Sequence, residues 1–111
     1  MKEEFKFIPL ENQPIFLLYL CSKEAIQKHN TILEKYNLTY TQFVIMMYFW
    51  EKKTSNVKKL SETMLLDSST LTPLLKKLEK KGYITRKKSL QDERNLSIEL
   101  TSEGMALKKK V

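Results

Sequence analysis

Residues 57–81 constrain what this chain can fold into more than any other stretch. Val57, Leu60 and Met64 recur at spacings of three and four, which places them on one stripe of a short helix. After a connection at 65–67, Leu71, Leu74, Leu75 and Leu78 form a second stripe, while Thr70, Lys76, Lys77, Lys80 and Lys81 fall outside it. Two short amphipathic helices with a tight connection and a basic outer face predict a helix-turn-helix. Asn56 suits the N-cap of the first helix, and Asp67 or Ser68 that of the second. Pro73 lacks a backbone donor and is tolerable only near a helix start, so the first turn belongs near Ser69 or Thr70. Gly82 can take the left-handed conformation that ends the helix.

Beyond Gly82 the period changes from 3.6 to 2, and residues 83–86 and 96–100 read as strands. The polar segment 87–95 joins them as a hairpin, a wing beside the helix-turn-helix. Upstream, Pro14 suits a helix start, and Ile15, Leu18, Tyr19, Ile26 and Leu33 extend that helix to about residue 35. A polar break follows at 36–38, then a capping box from Thr39 to Gln42. The next helix carries Phe43, Met46, Met47 and Trp50 at i, i+3, i+4 and i+7, a stripe assigned to the core. Residues 51–55 read as a polar connector, and Thr101-Ser102-Glu103 opens a last helix, 101–111. The expected fold is mainly α with a small β wing, a winged helix-turn-helix occupying 1–111 as a single domain.

The chain carries a net charge of +7, and its distribution is uneven. Residues 1–50 hold five Lys and five acidic side chains and sum to zero. Residues 51–111 hold fifteen Lys or Arg and eight Asp or Glu, so the whole excess lies with the helix-turn-helix and wing. Polyanion binding works by releasing phosphate counterions, which requires positive charge gathered on one face. A solvated lysine-rich surface is the competing explanation for the charge taken alone.

Ser68, Ser69, Thr70 and Thr72 cluster at the start of the second helix, where hydroxyls can reach base edges and the helix N-terminus can hold phosphate. Capping alone would need only one of the four. Lys76 and Lys77 continue this face. In the wing, Arg86, Lys88 and Arg94 supply charge, and Asp92 can hold Arg94 by paired hydrogen bonds, pre-orienting it for a narrow minor groove. The alternative for Asp92 and Arg94 is a solvent-exposed ion pair of little consequence. Cys21, the sole cysteine, is either a small buried hydrophobe or a redox thiol aided by Lys23 and Lys28. His29, the only histidine, suits a surface or interface. No nucleophile, base and orienting group are spaced for catalysis, and no His/Cys cluster suggests a metal or other cofactor. No apolar run approaches the ~20 residues of a membrane span. A single cysteine and an acidic start unlike a signal peptide point to a cytoplasmic setting.

Val57-Lys58-Lys59-Leu60, the run 66–79, Asp92-Glu93-Arg94 and Leu100-Thr101 resemble the MarR family of winged-helix regulators. The closest likeness is to its organic-hydroperoxide-sensing (OhrR-like) branch, which Leu10-Glu11-Asn12-Gln13, Phe16-Leu17-Leu18-Tyr19 and Leu38-Thr39-Tyr40 also fit. The resemblance covers about residues 10–107. It implies a homodimer on a pseudopalindromic double-stranded DNA operator, with about 10–36 serving dimerisation and about 39–100 serving DNA. It also implies that the second helix enters the major groove and Arg94 the minor groove. The branch places its reactive cysteine just before the Phe-Leu-Leu-Tyr run, where this chain has Ile15. Tyr19 and Tyr40 match two of the tyrosines that bond that cysteine, and His29 occupies the third position. Cys21, about 240° further around a helix, faces elsewhere. The family continues through long C-terminal helices that supply most of the dimer interface, whereas this sequence stops at Val111. The expected function is a DNA-binding transcriptional regulator, a repressor. The rivals are a winged-helix protein-interaction module and a thiol redox switch through Cys21.

Overall fold

The N-terminal helix begins where proline chemistry allows, because Pro14 at the first helical position has no N–H to leave unpaired. The structure, a computed structural model, describes residues 9–87 and 97–111. These described residues fall into two compact units that divide between Tyr40 and Thr41. In the first, a one-turn 3-10 helix (Leu10–Asn12) leads into α1 (Pro14–Leu33), and a second 3-10 turn (Glu34–Tyr36) follows. Asn37 ends this run in the left-handed region at φ 59°, and its N–H donates to the Glu34 carbonyl. The Asn30 side chain accepts from the Tyr40 N–H at 2.7 Å, closing the loop back onto α1. The apolar series along α1 is mostly on the outside: Ile15 is 74%, Leu18 66% and Tyr19 57% exposed, and only Leu33 is buried.

The second unit comprises α2 (Tyr40–Lys52, whose first residue belongs to the first unit), β1 (Thr54–Asn56), α3 (Val57–Met64), α4 (Ser68–Lys80), β2 (Ile84–Lys87), β3 (Ser97–Leu100) and α5 (Ser102–Lys110). Its core is Ile45, Met46, Phe49, Leu60, Leu71, Leu75, Leu78, Ile84 and Ile98, all essentially without solvent contact. The buried face of α2 differs from the sequence expectation. Met46 and Trp50 are buried, but Met47 is 39% exposed and Phe43 half-buried, while Ile45 and Phe49 are fully covered. Residues 43–50 are apolar on every side, so periodicity could not fix the phase of this helix. Phe43 packs edge-on to Trp50 instead, with ring centroids 5.9 Å apart.

Residues 51–55 also depart from expectation. Thr54–Asn56 is not a plain connector but one of the two edge strands of a three-stranded antiparallel sheet ordered β1-β3-β2. Ser55 pairs with Ile98, and Ile98 pairs on its other side with Arg86. Three polar residues give no alternation to read, and pairing with β3 supplies the strand. The Lys53 carbonyl extends the ladder by accepting from the Leu100 N–H at 2.9 Å.

The bounds of α3, the turn at 65–67 and the end of α4 before Gly82 match expectation, while α4 starts at Ser68, slightly earlier than Pro73 suggested. Asn56 caps α3 by accepting from the Lys59 N–H at 2.8 Å. Leu65 turns the chain at φ 55°, and the Leu66 N–H reaches back to the Ser61 carbonyl. At the end of α4, Gly82 has φ 85°. Its N–H donates to Glu79 O, and the Tyr83 N–H donates to Leu78 O. This pair of reversed bonds is the Schellman closure that a left-handed glycine permits. Thr101 caps α5, its hydroxyl oxygen accepting from the Gly104 N–H at 3.0 Å.

Candidate nucleic-acid interface

The outer face of α4 follows from helix geometry. Leu71, Leu75 and Leu78 turn inward, so Ser69, Pro73, Lys76 and Lys80, at i, i+4, i+7 and i+11, line the opposite side. All four are exposed. Thr72 and Lys77 flank the stripe, half-exposed and exposed respectively. Pro73 is the sixth residue of the helix, further in than the sequence reading placed it, because α4 begins at Ser68. It sits in the middle of the outward stripe, where its ring meets solvent.

Asp67 is the N-cap. One carboxylate oxygen accepts from the Thr70 N–H and from the Ser69 hydroxyl, each at 3.0 Å. Hydrogen bonding from Thr70, through side chain and backbone, and then from Ser69 holds the Asp67 carboxyl below the usual aspartate range. The Thr72 hydroxyl donates to the Ser68 carbonyl at 2.6 Å. A hydroxyl that donates inward turns its lone pairs outward. Ser69 and Thr72 are therefore set to accept hydrogen bonds, which suits the amino groups of adenine and cytosine in a major groove. Ser68 and Thr70 are exposed beside them. Further along, burial and then the charge of Lys77 hold the Lys81 ammonium below the ordinary lysine value.

Strand β2 alternates as a half-covered strand must: Ile84 buried, Thr85 exposed, Arg86 half-buried, Lys87 exposed. Arg86 shares the inward face with Ile84 and meets α4. Its Nε and Nη2 both donate to Glu79 Oε1, at 3.1 and 2.9 Å. The Arg86 side chain retains 16% of its exposure and that of Glu79 37%. Lys88, Asp92 and Arg94, expected in the wing, lie outside the described residues.

Cys21 is exposed on α1, as is Ile15, the position of the branch's reactive cysteine. His29 Nδ1 is 2.8 Å from the Ala25 carbonyl, and its ring meets Tyr40 edge-on at 5.3 Å. Among the described residues no group of His, Cys, Asp and Glu could hold a metal ion, and no helix is long and apolar enough to cross a membrane.

A family model described as transcriptional regulator SarA/Rot matches residues 26–111. The chain belongs to this family, within the MarR-type winged-helix regulators. It is 46% identical over 110 residues to the organic hydroperoxide resistance transcriptional regulator of Bacillus subtilis, spanning 99% of this chain and 75% of that one. It is 52% identical over 99 residues to the regulator SarZ of Staphylococcus haemolyticus, spanning 89% and 67%. Among solved structures, overoxidized AbfR bound to DNA superposes with a TM-score of 0.85 at 32% identity, covering 99% of this chain and 79% of that one. These matches bear out the SarA/Rot-family chain as a transcriptional regulator of the organic-hydroperoxide branch with a winged helix-turn-helix.

Sequence reasoning missed Glu79 in this regulator. Nothing in the spacing of Glu79 and Arg86 marks them as partners, since they meet only when β2 folds back along α4.

Proposed function

We propose that this regulator acts in the cytoplasm as a homodimer that represses transcription by covering a pseudopalindromic operator. Half-sites would lie about one DNA turn, roughly 10 bp, apart. The observation that carries this reading is the outer stripe of α4, in which Ser69, Pro73, Lys76 and Lys80 stand opposite the fully buried Leu71, Leu75 and Leu78, with Leu74 half-buried. Such a helix can enter a major groove without uncovering its core. Ser68, Ser69, Thr70 and Thr72 read base edges, Lys76 and Lys77 hold phosphates, and the wing adds Lys88 and Arg94, with Asp92 orienting Arg94. AbfR, at 32% identity, is described as bound to DNA, which supports the same use of the fold here. The exposed Ile15, Leu18 and Tyr19 on α1 support dimerisation, because an apolar helix face of this kind gains by being covered.

The branch's peroxide chemistry does not transfer, since Ile15 offers no thiolate. Footprinting of bound genomic sites, with and without oxidant, defines the operator and tests its symmetry. Binding to that operator through about six phosphates should weaken by orders of magnitude between about 50 and 200 mM salt. Affinity that is flat across this range would refute DNA binding and favour a protein-interaction module.

A further inference from the structure

Arg86 belongs to the basic set expected to touch DNA, but its guanidinium is already committed. Two of its donors converge on one oxygen of Glu79, and the side chain is mostly covered. Three N–H donors remain, but the side chain is 16% exposed, and swinging it out to a phosphate or a minor groove would give up both bonds and leave Glu79 as an unpaired negative charge. Glu79 lies on the last turn of α4, next to the buried Leu78 and close to the proposed reading stripe.

The pair also sits where a second fixing point is mechanically useful. Helix α4 joins β2 through Lys81, Gly82 and Tyr83, pinned by the Schellman bonds at Gly82 and Tyr83. Thr101 also bonds the Gly82 and Tyr83 carbonyls, but all of these bonds hold the chain at the start of the strand. Arg86 lies three residues beyond Tyr83, roughly 10 Å along the strand. A bond from there back to α4 fixes the angle between helix and strand. Arg86 also pairs in register with Ile98, so the constraint passes to β3 and thus to both strand ends from which 88–96 depart.

We propose that Arg86 is a positioning residue and not a DNA contact: held by Glu79, it fixes the paired strands β2 and β3 against α4 and so sets the angle at which they stand to the helix that reads DNA. This rests on the DNA reading above and sharpens it. Simple electrostatics and positioning predict opposite signs for Glu79→Gln. Removing an acid near DNA should tighten binding if charge alone matters, whereas loss of the clamp should weaken operator binding.

The test measures full-chain wild type, Glu79→Gln, Arg86→Gln, the double variant, and the reversed pair Glu79→Arg with Arg86→Glu. Each is titrated with footprinted operator and with non-specific duplex over a salt series, after a thermal melt. Glu79→Gln and Arg86→Gln should each weaken operator binding roughly tenfold or more. Non-specific binding should hold or rise, and the double variant should be no worse than either single one. The salt slope of Arg86→Gln should match wild type, because no phosphate contact is lost, and the reversed pair should recover part of the specificity. A general loss of stability would lower both kinds of binding together and overturn the proposal. So would an Arg86→Gln slope smaller by about 0.9, the mark of one phosphate contact, or tighter operator binding by Glu79→Gln. Salt-independent wild-type binding would overturn the DNA reading itself, whereas the other failures leave that reading standing.

Discussion

Replacing Gly104 with Ala sets two well-characterised effects against each other. Ala is favoured over Gly inside a helix by up to about 1 kcal/mol, so propensity alone predicts a more stable protein. The surroundings of Gly104 predict the reverse. A Cβ there would lie 2.2 Å from the Tyr83 carbonyl oxygen and 2.7 Å from Leu100 Cδ1. Leu100 can yield, but the Tyr83 carbonyl is backbone and is held by the Thr101 N–H at 3.1 Å. Overpacking of this kind costs about 1–3 kcal/mol. Relief requires α5 to move away, and the Gly104 carbonyl would move with it. That carbonyl accepts the buried Trp50 Nε1–H at 2.8 Å. Leaving the indole donor unpaired costs about 1–3 kcal/mol more. With the propensity gain subtracted, Gly104→Ala should destabilise by about 1–5 kcal/mol. Urea unfolding followed by the fluorescence of Trp50, the only tryptophan, reads this directly. The midpoint should fall with an unchanged slope, and native emission should shift as the indole loses its partner. A variant as stable as wild type, or more so, would refute the close-packing argument.

Leu65→Gly should stabilise the turn of the helix-turn-helix. Leu65 has φ 55° and is 89% exposed, so glycine loses no burial there. It removes left-handed strain of roughly 1–2 kcal/mol against an entropic loss of about 0.5–1 kcal/mol, and a lowered thermal midpoint would contradict this. The Asp67 carboxyl is held below its ordinary value of 3.8. Its stabilising effect is thus complete above that value and is lost as pH falls through the lower folded-state value. Asp67→Asn should remove this part of the acid sensitivity while keeping an N-cap, and identical acid-unfolding profiles would count against the charged cap. For DNA, Lys76→Ala should lower the salt slope by about 0.9 if it holds one phosphate. Arg94→Ala should weaken operator binding by ~1–3 kcal/mol at fixed salt if its groove contact is well oriented, and unchanged affinity in that titration would remove it from the interface.

The features legible in the linear chain are those whose cause is local. Asn56, Asp67 and Thr101 cap helices with side chains that reach N–H groups three residues on, so composition at short range announces them. Gly82 ends α4 because only a residue without a Cβ takes φ 85° freely. The leucines of α4 alternate with lysines at helical spacing, which shows both the buried face and the opposite one before any partner is known. The outer stripe of the candidate interface follows from the same count.

Tertiary structure decided what depends on residues distant in sequence. Thr54–Asn56 has no strand pattern of its own and becomes one because β3 offers an open edge. Helix α2 is apolar around most of its surface, so its core face was set by which neighbours it packs on, leaving Met47 outside and Phe49 within. Arg86 shows the same division within the candidate site. Its identity and strand position belong to the sequence, and they mark it as one more positive charge near DNA. Its role depends on Glu79, which only the packing of β2 against α4 brings within 2.9 Å of the guanidinium. Local chemistry shapes each element, while the partners of its side chains are chosen by elements that the chain reaches only after folding.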